Sequence, residues 1–269
     1  MPRPPKYIAV AAEHPAPAPP NLYIGTSGWA YPTWKPGFYP AEVPSRAFLH
    51  HYSSVLTAVE VNYTFRALPT KAQLEGWLAS TPPGFKFSFK APQRITHFAR
   101  LRECAEELER FLTAIAPARE AGKLGPLLFQ LPPNFAADTT RLQAFLALAP
   151  LLGKEAPKIA FEFRHASWFS DDTYKLLRGA NAALCIADTD DLTTPDIATA
   201  DFRCYRLRRD GGYTPAELKA FAQRFTALAT DKEVYTFFRH QDEPTGALNA
   251  HTLLALASKA GKSKRPKTS

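Results

Sequence analysis

Ile159-Ala160-Phe161-Glu162-Phe163-Arg164 alternates rings with charges, and this alternation decides how the chain is read. Successive side chains of a β-strand point to opposite faces, so Phe161 and Phe163 share one face while Glu162 and Arg164 share the other. In a parallel sheet closed into a barrel, one face meets the surrounding helices and the other is enclosed. The rings suit the helices. The charged pair then points inward, where each ionisable group needs a partner because desolvating a lone charge is costly.

Working outward, seven further segments read as buried strands rich in aromatic and β-branched residues. They are Leu22 to Ser27, Ala58 to Tyr63, Phe85 to Lys90, Pro126 to Leu131, Ala183 to Asp188, Phe202 to Leu207 and Glu233 to Phe238. They recur at about the 20 to 40 residues of one βα unit. Apolar residues at steps of three and four mark helices between them: Phe48, Leu49, Tyr52, Val55 and Leu56 behind Ser45 as N-cap, then Leu101, Ala105, Leu108, Leu112 and Ile115. Later stripes are Leu142, Phe145, Leu146 and Ala149, then Leu218, Phe221, Phe225 and Leu228, then Leu253, Leu254 and Ala257. Thr70 with Gln73 and Thr214 with Glu217 form capping boxes, in which hydroxyl and carboxyl or amide satisfy free helix amides reciprocally. Leu192 to Ala200 is short and polar, so the connection there is a loop with at most one helical turn. The expected fold is a TIM-like (β/α)₈ barrel with a weak or missing sixth helix, as one domain over residues 21–260. An open three-layer sheet is the alternative, but neither GxGxxG nor a P-loop follows the first strand.

The same alternation divides the other strands. Val59, Val61, Phe87, Phe89 and Phe129 join the two rings on the helix side. Glu60, Asn62, Ser88, Lys90, Gln130, Asp188, Arg206, Arg208, Thr236 and His240 join Glu162 and Arg164 on the inner side. Two explanations fit so many polar groups in apolar strands: a polar pocket at the C-terminal mouth, where barrels carry their chemistry, or internal ion pairs such as Glu60 with Lys90 or Glu162 with Arg164.

Composition bounds the rest. A chain of 269 residues with 45% hydrophobic content can bury a full core. Residues 1–20 are dominated by Pro and Ala and read as a disordered arm without the apolar run of a signal peptide. Residues 261–269 read as a basic disordered tail, and no apolar stretch suffices to cross a bilayer. Of the net charge of +8, Lys259, Lys262, Lys264, Arg265 and Lys267 supply five and the arm one, leaving two for the body. The basicity thus lies mostly in the ends: a tail of this kind can hold nucleic-acid phosphates non-specifically, but a solubilising, disordered terminus is its commoner role. Cys104, Cys185 and Cys204 show neither CxxC nor a disulfide spacing, which points to a reducing, cytoplasmic compartment and buried structural thiols.

Five segments carry a family resemblance: Ile24-Gly25-Thr26-Ser27-Gly28-Trp29-Ala30-Tyr31; Val59-Glu60-Val61-Asn62 with Thr64-Phe65; Phe85 to Lys90 followed by Ile95-Thr96-His97; Leu127-Leu128-Phe129-Gln130-Leu131-Pro132-Pro133; and Phe161-Glu162-Phe163-Arg164-His165 with Trp168. Together they resemble the YecE-like family, domain of unknown function 72, from about Tyr23 to Ala257. The resemblance implies a TIM-barrel-like fold and no established activity. The chain departs from the family pattern in three places. Arg206-Leu207-Arg208-Arg209-Asp210-Gly211 replaces an RLHG-type segment, Phe238-Arg239-His240-Gln241-Asp242 replaces an FNN-like run, and Arg66 stands where a Tyr often follows Phe65.

Three functions compete. The first is an enzyme, of hydrolase or lyase type, acting on a small anionic substrate such as a phosphorylated one. Lys90, Arg164, Arg206 and Arg208 outweigh Glu60, Glu162 and Asp188 on the inner side, and charge-assisted bonds to phosphate contribute about 1.5 to 3 kcal/mol each. Glu162, Glu60 or Asp188 would carry the proton, with Gln130, His165, Asn62, Trp29, Tyr31 and His240 completing the substrate site. The second is a metal-assisted phosphodiesterase on nucleic acid, using His97, His165 and His240 with the three carboxylates, although no HxH or HExxH spacing supports a metal centre. The third is a non-catalytic binding module, consistent with the lack of a GxSxG nucleophile motif.

Overall fold

The computed structural model describes residues 19–153 and 155–263, with side chains placed as far as 260 within that range. The strands are β1 (Leu22–Thr26), β2 (Ala58–Val61), β3 (Lys86–Lys90), β4 (Leu124–Gln130), β5 (Ile159–Glu162), β6 (Ala183–Asp188), β7 (Arg203–Leu207) and β8 (Val234–Phe238). The helices are α1 (Phe48–Val55), α2 (Lys71–Ala79), α3 (Ala105–Glu120), α4 (Thr139–Leu146), α5 (Asp171–Gly179), α6 (Pro215–Leu228) and α7 (Thr245–Ser263). All eight strands are parallel, in the order β1-β8-β7-β6-β5-β4-β3-β2, and helices alternate with them around a nearly closed barrel. The link from β6 to β7 carries no helix, as the polar stretch after Asp188 predicts. Most of the arm and tail lie outside the described residues; the backbone of α7 runs three positions into 261–269.

Local sequence sets the helix starts. Both capping boxes form, at Thr70 with Gln73 and at Thr214 with Glu217, and Pro215 occupies the first helical position, where its missing amide costs nothing. Ser45 is not the N-cap of α1. It opens a single 3₁₀ turn, Ser45–Ala47, and α1 starts at Phe48 with no side-chain cap.

The seam between β1 and β2 closes mainly through side chains. Thr57 accepts from the Ile24 amide through its hydroxyl at 2.8 Å, and Tyr52 accepts from the Thr26 amide at 2.7 Å while donating to the Ala58 carbonyl at 3.0 Å. Farther along, Ser27 bridges Glu60, and the Gly28 amide donates to the Glu60 carbonyl at 2.8 Å. Gly25 permits this approach, since a Cβ there would stand 1.8 Å from the Ala58 carbonyl oxygen.

Inside, Ala58, Leu128, Ala160, Ala183, Cys185, Cys204, Tyr235 and Phe237 pack with Phe202 into a plug separate from the larger layer between sheet and helices. One inward step along the strands, the plug gives way to charge: Ala58 is followed by Glu60, Ala160 by Glu162, and Cys204 by Arg206, all three buried.

Two strands run out of phase with the expected alternation. In β6 the small Ala183 and Cys185 fill the narrow interior, and Leu184 and Ile186 face the helices. Asp188 shares the parity of Leu184 and Ile186 and so leaves the inner side. In β8 the inner residues are Tyr235 and Phe237, the latter in register with Arg206, while Thr236 pairs with the outward Tyr205. The interior accepts rings and small residues there, and the lone polar side chain is not the inward one.

Candidate anion site at the barrel mouth

Arg206 is fully buried and spans the interior from β7. Its Nε and Nη2 donate to both oxygens of Glu60 at 2.9 and 2.8 Å, and its Nη1 donates to Glu162. Glu162 also accepts from Arg164 Nε, and Glu60 accepts from the Ser27 hydroxyl at 2.7 Å. Burial opposes ionisation of all three central groups, but the guanidinium and carboxylates offset it mutually. Despite burial, Arg206, Arg164 and Arg208 hold Glu162 down at about 2, and Arg206, Arg208 and Ser27 hold Glu60 below the usual carboxylate range. Glu162 and Glu60 in turn keep Arg206 charged. The internal ion pair of Glu162 with Arg164 exists, whereas Glu60 is paired with Arg206 rather than with Lys90.

Beside this satisfied core stand two cations that it does not satisfy. Arg208 donates one hydrogen bond, to Ser27 Oγ at 3.2 Å, and makes no ion pair among the described residues. Lys90 places its ammonium 4.0 Å from the centre of the Phe65 ring, a cation–π contact, and has no carboxylate partner among the described residues. Burial, then repulsion from Arg206, lowers Lys90 to about 8 and Arg208 to about 10. Four cations therefore share the mouth with two carboxylates, an excess of positive charge that gives an electrostatic reason to take an anion.

The remaining predicted site residues divide. Gln130 lies in register beside Glu162. Asn62 follows β2 with a buried Oδ1 that has no hydrogen-bond partner among the described residues, and the same holds for the buried His240 Nδ1. The His240 ring stacks on Tyr31 at 5.3 Å, and Tyr31 donates to the Ser27 carbonyl at 3.2 Å. Trp29 and Tyr31 line a cavity of about 720 Å³ together with Asn62. His165 turns away to cap a 3₁₀ turn through the Ser167 amide. Asp188 receives Arg209 at 3.1 Å, which also meets Glu217 of α6, so the carboxylate belongs to a rim cluster outside the Arg206 network. His97 is engaged with Thr96 at 2.9 Å. The His and carboxylate set required for a metal-assisted reaction is not gathered: among the described residues no group of three or more His, Cys, Asp or Glu converges.

Sequence reasoning missed three participants. Ser27, which joins Glu60 to Arg208, was legible from the inward phase it shares with Tyr23 and Gly25. Phe65, under Lys90, and Trp77, which lines the cavity from α2, lie outside any strand and carry no alternation to reveal them.

A (β/α)₈ barrel with a buried ion-pair layer and surplus cations under its mouth is thus the class that fold and site define. The family model described as protein of unknown function DUF72 matches residues 23–269, and the chain belongs to that family. It is 32% identical over 158 residues to UPF0759 protein YunF of Bacillus subtilis, covering 57% of this chain and 54% of YunF. It is 35% identical over 115 residues to UPF0759 protein YecE of Escherichia coli K12, covering 42% of this chain and 39% of YecE. The matched stretches thus span about half, or less, of these curated relatives. Among solved structures, a DUF72 family protein from Thermotoga maritima MSB8 superposes with a TM-score of 0.75 at 26% identity, over 90% of this chain and 99% of that one. Another, from Enterococcus faecalis V583, gives 0.70 at 18% identity over 88% and 95% of the two chains and supports the fold alone. No helix among the described residues is long and apolar enough to cross a membrane.

Proposed function

We propose that the mouth binds a small dianion, of the phosphate-ester type, and that the protein is an enzyme acting on such a substrate. The observation that carries this reading is the pair Lys90 and Arg208, two partly buried cations without carboxylate partners among the described residues, beside an otherwise paired network. Burying charge without compensation is unfavourable, and an anion between them removes that penalty. Arg206 is already engaged by Glu60 and Glu162, so it positions the cradle rather than holding the ligand. Arg164 keeps donor capacity beyond its bond to Glu162 and completes the anion contacts.

Proton transfer follows the same electrostatics. A carboxyl held at about 2 is a weak base, so Glu162 serves as a fixed counter-charge in the resting site. Lys90, lowered to about 8, is the group whose protonation changes near neutral pH, and it is the proton carrier this reading favours. Sulfate, which stays dianionic across the range, separates this titration from that of the ligand. Its affinity by isothermal titration calorimetry is expected to be constant below pH 7 and to fall as pH rises through about 8, where Lys90 loses its charge. Undetectable binding of sulfate and phosphate at every pH would remove the proposal and leave a structural ion-pair network.

A further inference from the structure

The cavity beside the anion cradle is built of different chemistry. Trp29 and Tyr63 both stand edge-on to Trp77, at 5.2 and 6.2 Å between ring centres with interplanar angles of 82° and 88°. Tyr63 is 48% exposed, so one side of its ring is open to a ligand. Together with Gly28, Tyr31 and Asn62, these rings line the space of about 720 Å³, ample for a bicyclic ring system. Asn62 contributes a side-chain amide whose buried Oδ1 has no hydrogen-bond partner among the described residues.

The two halves adjoin along the chain and through hydrogen bonds. Gly28 in the cavity wall follows Ser27, the residue that receives Arg208. Tyr31 lines the cavity and donates to the Ser27 carbonyl at 3.2 Å. Asn62 lies one inward step beyond Glu60. Ser27 and Gly28 thus join the Arg208 contact to the cavity wall, and a ligand held at both would cross these two residues.

We infer that this ligand is a nucleoside monophosphate: the phosphate occupies the cation pair, and a flat heteroaromatic base enters the Trp and Tyr cavity and donates an N–H to Asn62. The inference rests on the anion reading for one end and goes beyond it at the other. A wall carrying Trp29, Tyr63 and Trp77 suits a base, whose π-faces need no hydrogen bonds, and the polar side chains of Asn62, Gln73 and Ser80 in the same lining suit its edge.

Adenosine 5′-monophosphate and ribose 5-phosphate carry the same phosphate and sugar and differ only in the base, so their affinities for the wild-type protein decide the matter. The nucleotide is expected to bind about tenfold tighter or more, the gain typical of one base stacked on aromatic side chains. It should also quench tryptophan fluorescence where ribose 5-phosphate does not. Trp77→Ala is expected to abolish the ratio, and Trp77→Phe to retain part of it. Equal affinities would overturn the inference while leaving the anion site intact, and equal affinities that both exceed that of inorganic phosphate would assign the aromatic cavity to a sugar. Failure of both compounds and of phosphate to bind would overturn the inference together with the anion site.

Discussion

Arg206→Met is expected to be the most damaging single substitution in the interior. It removes the guanidinium that, alone among the described residues, bonds both Glu60 and Glu162, and leaves two fully buried carboxylates, one with Ser27 and one with Arg164 at the edge of the site. Breaking a buried ion pair by removing one partner costs about 3 to 5 kcal/mol, and here one cation serves two anions. For a chain of this size that corresponds to a fall in Tm of roughly 5 to 10 °C. The loss should be pH-dependent. In the wild type the depressed Glu162 carboxyl stabilises the fold above its ordinary 4.5, and this stability is lost as pH falls towards about 2. In the variant that depression is largely gone, so the gap between the two proteins should narrow as the medium is acidified towards pH 4. Thermal melts at pH 7 and pH 4 check both parts; a variant as stable as the wild type at pH 7 would show that the triad contributes little.

The second large effect has the opposite sign for stability and for binding. Lys90→Met with Arg208→Leu removes two cations whose charge the folded state disfavours, since burial and Arg206 lower both. By linkage, a lowered cationic pKa means that the folded chain releases protons more readily than the unfolded one. Its penalty is present below about 8 for Lys90 and is relieved as pH rises from there towards the ordinary 10.5. The double variant should therefore hold or raise Tm at pH 7, with the largest gain at or below neutrality. It should also lose phosphate and sulfate affinity by a hundredfold or more, given about 1.5 to 3 kcal/mol for each charge-assisted bond removed. Melting curves and calorimetry on the same preparation separate the outcomes. A destabilised variant that still binds the anion would reverse the assignment of both residues.

Much of this layout was legible in the chain, for physical reasons that also mark where legibility stops. Phe161-Glu162-Phe163-Arg164 fixes its own phase because ring and charge cannot exchange faces without burying charge against a helix, and Val59-Glu60-Val61 does the same. Ala183 to Ala187 is apolar on both faces, so polarity assigns no phase. The informative property there was size: Ala and Cys fit the narrow interior, Leu and Ile the wider helix layer, and Asp188 follows Ile186 outward. In β8 the one polar residue, Thr236, misdirects, because an outward hydroxyl is buried between sheet and helices as completely as any inward group. The charge surplus was readable as a sum, but its distribution was not. That Arg206 is engaged by two carboxylates while Lys90 and Arg208 are not depends on distances across the barrel that local sequence does not encode.

The measurement closest to the central claim is an NMR titration of the Lys90 side chain, assigned with the help of Lys90→Met, in the absence and presence of saturating sulfate. With two unpartnered cations forming the anion cradle, Lys90 should titrate near 8 in the free protein and move upward towards its ordinary value when sulfate supplies the missing negative charge. A Lys90 that titrates at its ordinary value and does not respond to sulfate would contradict the account, since its ammonium would then be neither desolvated nor in contact with a bound anion.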